Sequence, residues 1–506
     1  MHDAPPSWRW AQGSCALALW WATACSAPVS VDDADAEMPE AAPDEPPGWR
    51  AEPGVDELDV MKSDGKTLFV VRSNRLRVFA ASTLTPMADL PLGISQAVLL
   101  SVGSRLVVVG RRCDQTALRT GTLSGDPCHP TRTGVSVIDV SSRAHPVLLA
   151  EWTFDGAWRG ARQVGGVLWL AVQAPARGSA GPGEAALVAV DVASEPPLSR
   201  IHRVSGPPDA IVFGSSVAYV AVRAQQGPRA LEVTRISGFH LTASAERPAE
   251  RGAIALAGHL AGRGAMQLYR GGLAVVTRGG GPADAACAVV TVFDERLGFI
   301  GLALLTPMPS ASLETRLVGD AFFVGPRDGD LAIVSLSAQG PPVPAGRLPH
   351  EGDWLSIRGV TPAALLTAHL LAAEDGEKPG IALKALDLSD LGRPRPLGTT
   401  AIGLGTSTRV PETEDIFFWR PEGLVGVPVV ARRDGRVIAG LALSRLSLAQ
   451  GFMSLERLDH EPTAHVSDAR VLHARVFGES LYVLSTAGVS LHALNDLRRD
   501  AYADAP

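Results

Sequence analysis

The densest set of metal-type donors lies in DHEPTAHVSDARVLH, where Asp459, His460, Glu461, His465, Asp468 and His473 fall within 15 residues. Imidazole nitrogens and carboxylate oxygens in that number suit a borderline divalent ion, with His460, His465 and Asp468 the best placed. A strand, however, sends alternate side chains to opposite faces, so only some of these donors can converge. A surface loop running into a strand is the simpler expectation, and no metal or other cofactor is assigned. KSDGKTLF, Lys62 to Phe69, is a near miss for the sialidase aspartate box, because no residue separates its Ser from its Asp.

Other chemistries lack their signatures. The nucleophile elbow G-x-S-x-G, the HExxH pair, CxxC and a Walker loop are all missing from the sequence. Gly279 to Gly281 follow a strand-like run but open no helix, so they form no phosphate cradle. Cys113 and Cys128 bracket a polar loop between two apolar runs and are expected to form a disulfide. The alternative, a Cys-His metal site with His129, lacks paired ligand spacing. Cys287 sits in the apolar run AACAVVTVF and reads as a buried thiol.

Residues that could act must be held by strands, because one phrase dominates the chain from residue 56 onward. A turn residue, a short apolar run, a polar gap and a second apolar run recur nine times, from DGKTLFVV with RLRVFAAS to FGESLYVLS with GVSLHALND. The second runs begin near 75, 134, 186, 230, 287, 330, 381, 438 and 488. Period-two alternation and β-branched enrichment make each run a strand, punctuated by Gly, Asn, Asp and Pro. Pieces such as PPDAIVFG before the hairpin and SSRAHPVLLAEW after it add an inner and an outer strand. Four strands in about 50 residues is the size of a propeller blade. The expectation is all-β, a single β-propeller of eight four-stranded blades within a range of seven to nine. A ring is often closed by strands from both termini, which would leave fewer blades than hairpins. Two β-sandwich domains are the rival architecture, but they would not predict one phrase along the whole chain.

The opening stretch GVDELDVMKSDG, Gly54 to Gly65, followed by TLFVV and SNRLRVF, resembles a bacterial secreted family with a C-terminal β-propeller distantly related to WD40 repeats. The resemblance is specific over residues 54 to about 110, SRLVVVG included, and then fades to propeller rhythm. It implies a propeller at the cell surface or in the periplasm, with no assigned reaction.

Propeller ligands gather at the mouth of the central channel. The register places Asp56, Glu57, Asp59, Gln96, Arg162, Asp209, Gln267, Arg316, Arg358 and Asp415 near that rim. They either hold a polar ligand or pair among themselves. For Asp56, Glu57 and Asp59, ring closure by pairing with Arg470 or Arg475 of the last blade is the expectation.

The chain carries 46 basic and 53 acidic residues for a net charge of −7, which offers no basic excess for nucleic acid. Its N-terminus reads as an export signal, with Arg9, then the apolar run Cys15 to Ala24, too short to span a bilayer, then Cys25. Ala22, Thr23 and Ala24 before Cys25 resemble the bacterial lipoprotein signal, in which that cysteine is lipidated, although Ala22 stands where a Leu is commoner. Residues 26 to 54 hold eight acids and many prolines, and form an extended tether. Asp33, Asp35 and Glu37 within it imitate a calcium loop but lack its turn glycine and distant Glu. The organisation expected is a signal over 1–24, a tether over 25–54, a propeller over 55–500 and a tail over 501–506. The function expected is a non-catalytic, envelope-tethered monomeric scaffold that binds a protein or glycan, lipid-anchored to the outer membrane or otherwise periplasmic or secreted. A hydrolytic or metal-dependent propeller enzyme with its site at the channel mouth is the alternative.

Overall fold

The computed structural model describes residues 59–504 apart from 114–127, 175–182, 205, 227–230, 263, 280–286, 306–307, 309–312, 338–339, 372–379, 404–415, 434–435 and 461–469. Nine antiparallel sheets follow one another, each built from consecutive strands. They span 61–91 (blade 1), 94–155 (blade 2), 157–204 (blade 3), 208–257 (blade 4), 259–305 (blade 5), 314–348 (blade 6), 354–403 (blade 7), 417–460 (blade 8) and 471–504 (blade 9). Eight sheets have four strands. Blade 5 divides its first strand into His259–Leu260 and Met266–Tyr269, both paired with Gly272–Arg278.

Each hairpin expected from the sequence forms the second and third strands of one blade. In Val167–Gln173 every residue but the last is buried, as a strand packed on both faces requires. The fourth strands alternate instead, and Ala249–Ala257 presents every second side chain to water. Turns follow local chemistry. Ser73 and Asn74, with φ of 48° and 63°, make the two-residue connection between Thr67–Arg72 and Arg75–Ala80. At the D-G turn, Asp64 accepts from the N–H groups of Lys66 and Thr67 while Gly65 takes φ 85°.

The core is a series of seams. Of nine hydrophobic clusters, eight each join two successive blades and the ninth joins the last blade to the first. That cluster packs Met61, Leu68 and Phe79 against Tyr482, Leu491 and Ala503, so the ring is closed. The architecture is therefore one all-β propeller of nine blades, at the top of the expected range. Eight was the expected number because a blade shared between the termini would absorb one hairpin. No blade is shared: Met61–Ser63 completes blade 1, and Arg499–Asp504 completes blade 9. The last strand thus occupies most of the segment expected as a tail.

One device recurs at the seams. An aromatic residue of the second strand reaches the loop after the third strand of the next blade. Trp169 donates to Thr242 O at 3.0 Å, Tyr219 to Glu295 O at 3.2 Å, and Tyr482 to Ala81 O at 3.1 Å across the closure. In blade 1 the equivalent ring is Phe69, and Arg143 of blade 2 stacks over it. A large ring buries area while its polar tip fixes the angle between blades.

Candidate functional site

The first strands of neighbouring blades pack beside one another around the channel, and a single register position on them carries much of the charge. Two residues before the turn stand Lys62, Arg162, Gln267, Arg316 and Arg475, opposite Phe69, Trp169, Ala274, Phe323 and Tyr482. Arg358 holds the same place next to a bulge, opposite Leu366. Arg162, Gln267, Arg316 and Arg358 therefore lie inside their strands rather than at the strand starts, and all four are half-buried. Gln267 shows what this position does. Its amide donates to Gly264 O and Thr315 O and accepts from the Leu317 N–H at 2.9 Å, so it ties blade 5 to the inner strand of blade 6. Burial holds Arg316 below the usual guanidinium range.

The remaining rim candidates are dispersed. Asp209 is exposed and pairs with Arg223 of its own hairpin at 3.2 Å. Gln96 is exposed at a bulge with φ 46°. Asp56, Glu57 and Asp415 lie outside the described residues, as do Cys25, His465 and Asp468.

Asp59 takes the closing role. It is 6% exposed, bridges Leu99 of blade 2 through its backbone, and sits 2.8 Å from His473 Nε2 and 3.4 Å from Arg475 Nε of blade 9. Burial pushes its carboxyl up, but His473, Arg475 and the Met61 N–H outweigh burial and hold it below the ordinary 3.8. Beside it, the Arg72 guanidinium donates to Ser485 O and Thr486 O at 2.7 Å each.

Of the sequence cluster around His460, the described part sits in the seam between blades 8 and 9. His460, the last residue of Gly451–His460 in blade 8, is fully buried between Ser485 and Ser490 of blade 9. Its Nδ1 lies 2.8 Å from Ser485 Oγ and its Nε2 2.5 Å from Ser490 Oγ. Ser490 continues to His492 Nε2 at 2.8 Å, and His492 Nδ1 reaches Leu497 O at 3.1 Å. Only one proton arrangement satisfies this chain. Leu497 O can only accept, so His492 carries its proton on Nδ1 and accepts at Nε2 from Ser490. Ser490 Oγ then accepts from His460 Nε2–H, and His460 Nδ1 accepts from Ser485, whose oxygen takes the Ala487 and Gly488 N–H groups. Both imidazoles are neutral. Burial pushes His460 down to about 3, helped by His492 and Arg499 and opposed by Asp459. Burial also lowers His492. Among the described residues, no group of three or more His, Cys, Asp or Glu is disposed to hold a metal ion.

Blade 7 repeats the pattern in miniature. Thr367 Oγ1 lies 2.9 Å from His369 Nε2, and the imidazole packs on Trp354 with centroids 4.2 Å apart. Ser490, His492, Thr367 and His369 were not singled out in the sequence, although Ser-x-His and Thr-x-His put both polar groups on one face of a strand. That spacing was the available signal. Cys113 is disulfide-bonded and faces Cys128 across its hairpin, and Cys287 is buried.

Nine blades, closed by side chains rather than by a shared strand, define the chain as a β-propeller protein. In agreement with the sequence resemblance, the family described as Beta propeller domain matches residues 50–187. No curated protein matches the chain. Among solved structures, BamB from Moraxella catarrhalis is 13% identical with TM-score 0.33, over 62% of this chain and 83% of that one. The dihydro-heme d1 dehydrogenase NirN is 15% identical with TM-score 0.41, over 82% and 75%. Kluyveromyces lactis Hsv2 is 9% identical with TM-score 0.34, over 79% and 98%. At those identities and scores the likeness carries no functional weight.

Proposed function

We propose that the protein is a binding propeller that docks an envelope protein on its outer strands, exported and held to the membrane by a lipid on Cys25. The observation that carries this reading is the outer edge of blades 2 and 3. Val147, Leu148 and Leu149 begin the fourth strand of blade 2 with exposures of 55%, 45% and 38%, and Leu198 and Ile201 on the fourth strand of blade 3 are 51% and 58% exposed. An outermost strand with its apolar side chains in water is a ready template for another protein. Apolar side chains favour a protein over a glycan. The alternative, catalysis at the channel, finds little support: the Ser–His contacts that could suggest a nucleophile are buried and join blades 8 and 9.

The test is recovery of a partner from envelope extract by the mature domain, beside a Leu148→Asp, Ile201→Asp variant of unchanged melting temperature. A partner retained by the wild type and lost by the variant supports the reading. Equal recovery by both, binding only on a glycan array, or substrate turnover in an activity screen overturns it.

A further inference from the structure

Blade 9 meets its two neighbours through contacts that yield to protons in different pH ranges. Toward blade 8 it relies on neutral imidazoles, in the chain from Ser485 through His460 and Ser490 to His492. Toward blade 1 it relies on an ionised carboxylate, Asp59 against His473 and Arg475. We propose that blade 9 is an acid-operated gate in the ring, released from blade 8 as the pH falls while it stays hinged on blade 1.

In the closed ring a proton added to His460 has nowhere to go. It would place an N–H at Nδ1, against a Ser485 oxygen already occupied by the Ala487 and Gly488 N–H groups. Displacing the Ser485 hydroxyl leaves it only the poorer contact to Gly488 O at 3.3 Å. Among the described residues, the charge would also find no unengaged counter-ion. From blade 8, the Asp459 carboxylate is engaged by Arg457 at 2.5 and 2.8 Å. From blade 9, His492 and Arg499 are of like sign or become so, Asp500 bears on His492, and Tyr502 presents its ring at 5.6 Å. From blade 1, Arg72 adds a further positive charge near Tyr502. A buried charge without a partner is among the costliest features a fold can hold.

Opening the seam returns both imidazoles to water and to their ordinary affinity, so protons favour the open state. The sign follows from linkage. The closed state binds fewer protons, so its advantage is complete above the ordinary 6.5 and is lost as the pH falls from there toward about 3. Over that window the open population rises about tenfold per pH unit for the first proton. The blade 1 side does not yield in the same range, because His473, Arg475 and the Met61 N–H hold the Asp59 carboxyl below its ordinary 3.8. The Arg72 and Tyr482 hydrogen bonds across that seam do not titrate there.

Hydrogen exchange with mass spectrometry on the mature protein, from about pH 7.5 to about 4.5 and corrected for intrinsic rates, reads this directly. The expected result is that peptides from Gly451–His460, Val471–Phe477 and Gly488–Ala493 lose protection about tenfold per unit below about 6.5 while blades 3 to 6 keep theirs. His460→Gln retains a donor for Ser490 and an acceptor for Ser485 without titrating, and is expected to lessen the loss in that range, the remainder belonging to His492. Simultaneous loss in all blades, earlier loss in blade 7 with its buried His369, persistence of blade 9 protection, or an unchanged profile in the variant overturns the proposal. The wild-type profile decides by itself if the variant fails to fold.

Discussion

The Asp59 carboxylate lies 2.8 Å from the His473 imidazole, joining the segment that enters blade 1 to the inner strand of blade 9. The ring needs such a clasp because no strand crosses its closure. Hydrophobic packing between Leu68 and Leu491 brings the two blades together without direction. The carboxylate, with Arg72 and Tyr482, sets their register.

Asp59→Ala is expected to destabilise the ring by about 2 kcal/mol, because charged hydrogen bonds are lost and the Met61 N–H is left buried without its acceptor. Thermal unfolding should show a lower melting temperature at neutral pH. The lowered carboxyl contributes stability above its ordinary 3.8 and loses it as the pH falls through the folded value, so wild type and Asp59→Asn should converge in acid. A constant gap across the titration would assign Asp59 a packing role instead.

Gln267 offers a test of the inner-strand register. Gln267→Ala removes the links to Thr315 and Leu317 and is expected to cost about 1–2 kcal/mol. Gln267→Arg should be close to neutral, because blades 3, 6 and 9 carry Arg162, Arg316 and Arg475 at that position. Chemical denaturation of the two variants would compare them, and an equal loss would show that the blades do not share one solution there.

The hairpins were legible in the sequence because burial on both faces leaves an apolar imprint, as in TLFVV and VLWLAV. Strand phase was legible to about one residue, enough to bring Asp59 and Arg475 together but too coarse to place Arg162 or Arg358, which sit within their strands. His460 was misleading for a physical reason. Nitrogen and oxygen donors close in sequence look alike whether they surround an ion or not, and its real partners, Ser485 and Ser490, arrive from the next blade. Contacts between blades depend on the ring angle, which local sequence does not encode.

Ser490→Ala removes the shared hydroxyl between two imidazoles, leaving a buried N–H on His460 and a buried acceptor on His492. A cost of about 2–3 kcal/mol is expected, against well under 1 for an exposed serine such as Ser141. Melting temperatures of the two variants provide the check. Near-equal values would mean that water replaces the hydroxyl in the seam.

Gly258 links the fourth strand of blade 4 to blade 5, with φ at 84°. A Cβ there would stand 1.8 Å from Arg278 O, a backbone atom that cannot swing away. Its own carbonyl receives the Thr234 hydroxyl at 2.9 Å, which pins the backbone from the other side. Gly258→Ala should therefore force the two blades apart, at a cost of at least about 3 kcal/mol. Gly271, with φ 81° and open space around its Cβ direction, separates strain from collision. Gly271→Ala should cost only about 1 kcal/mol. Soluble yield and thermal unfolding of the pair would decide, and equal behaviour would show that the seam between blades 4 and 5 has room to relax.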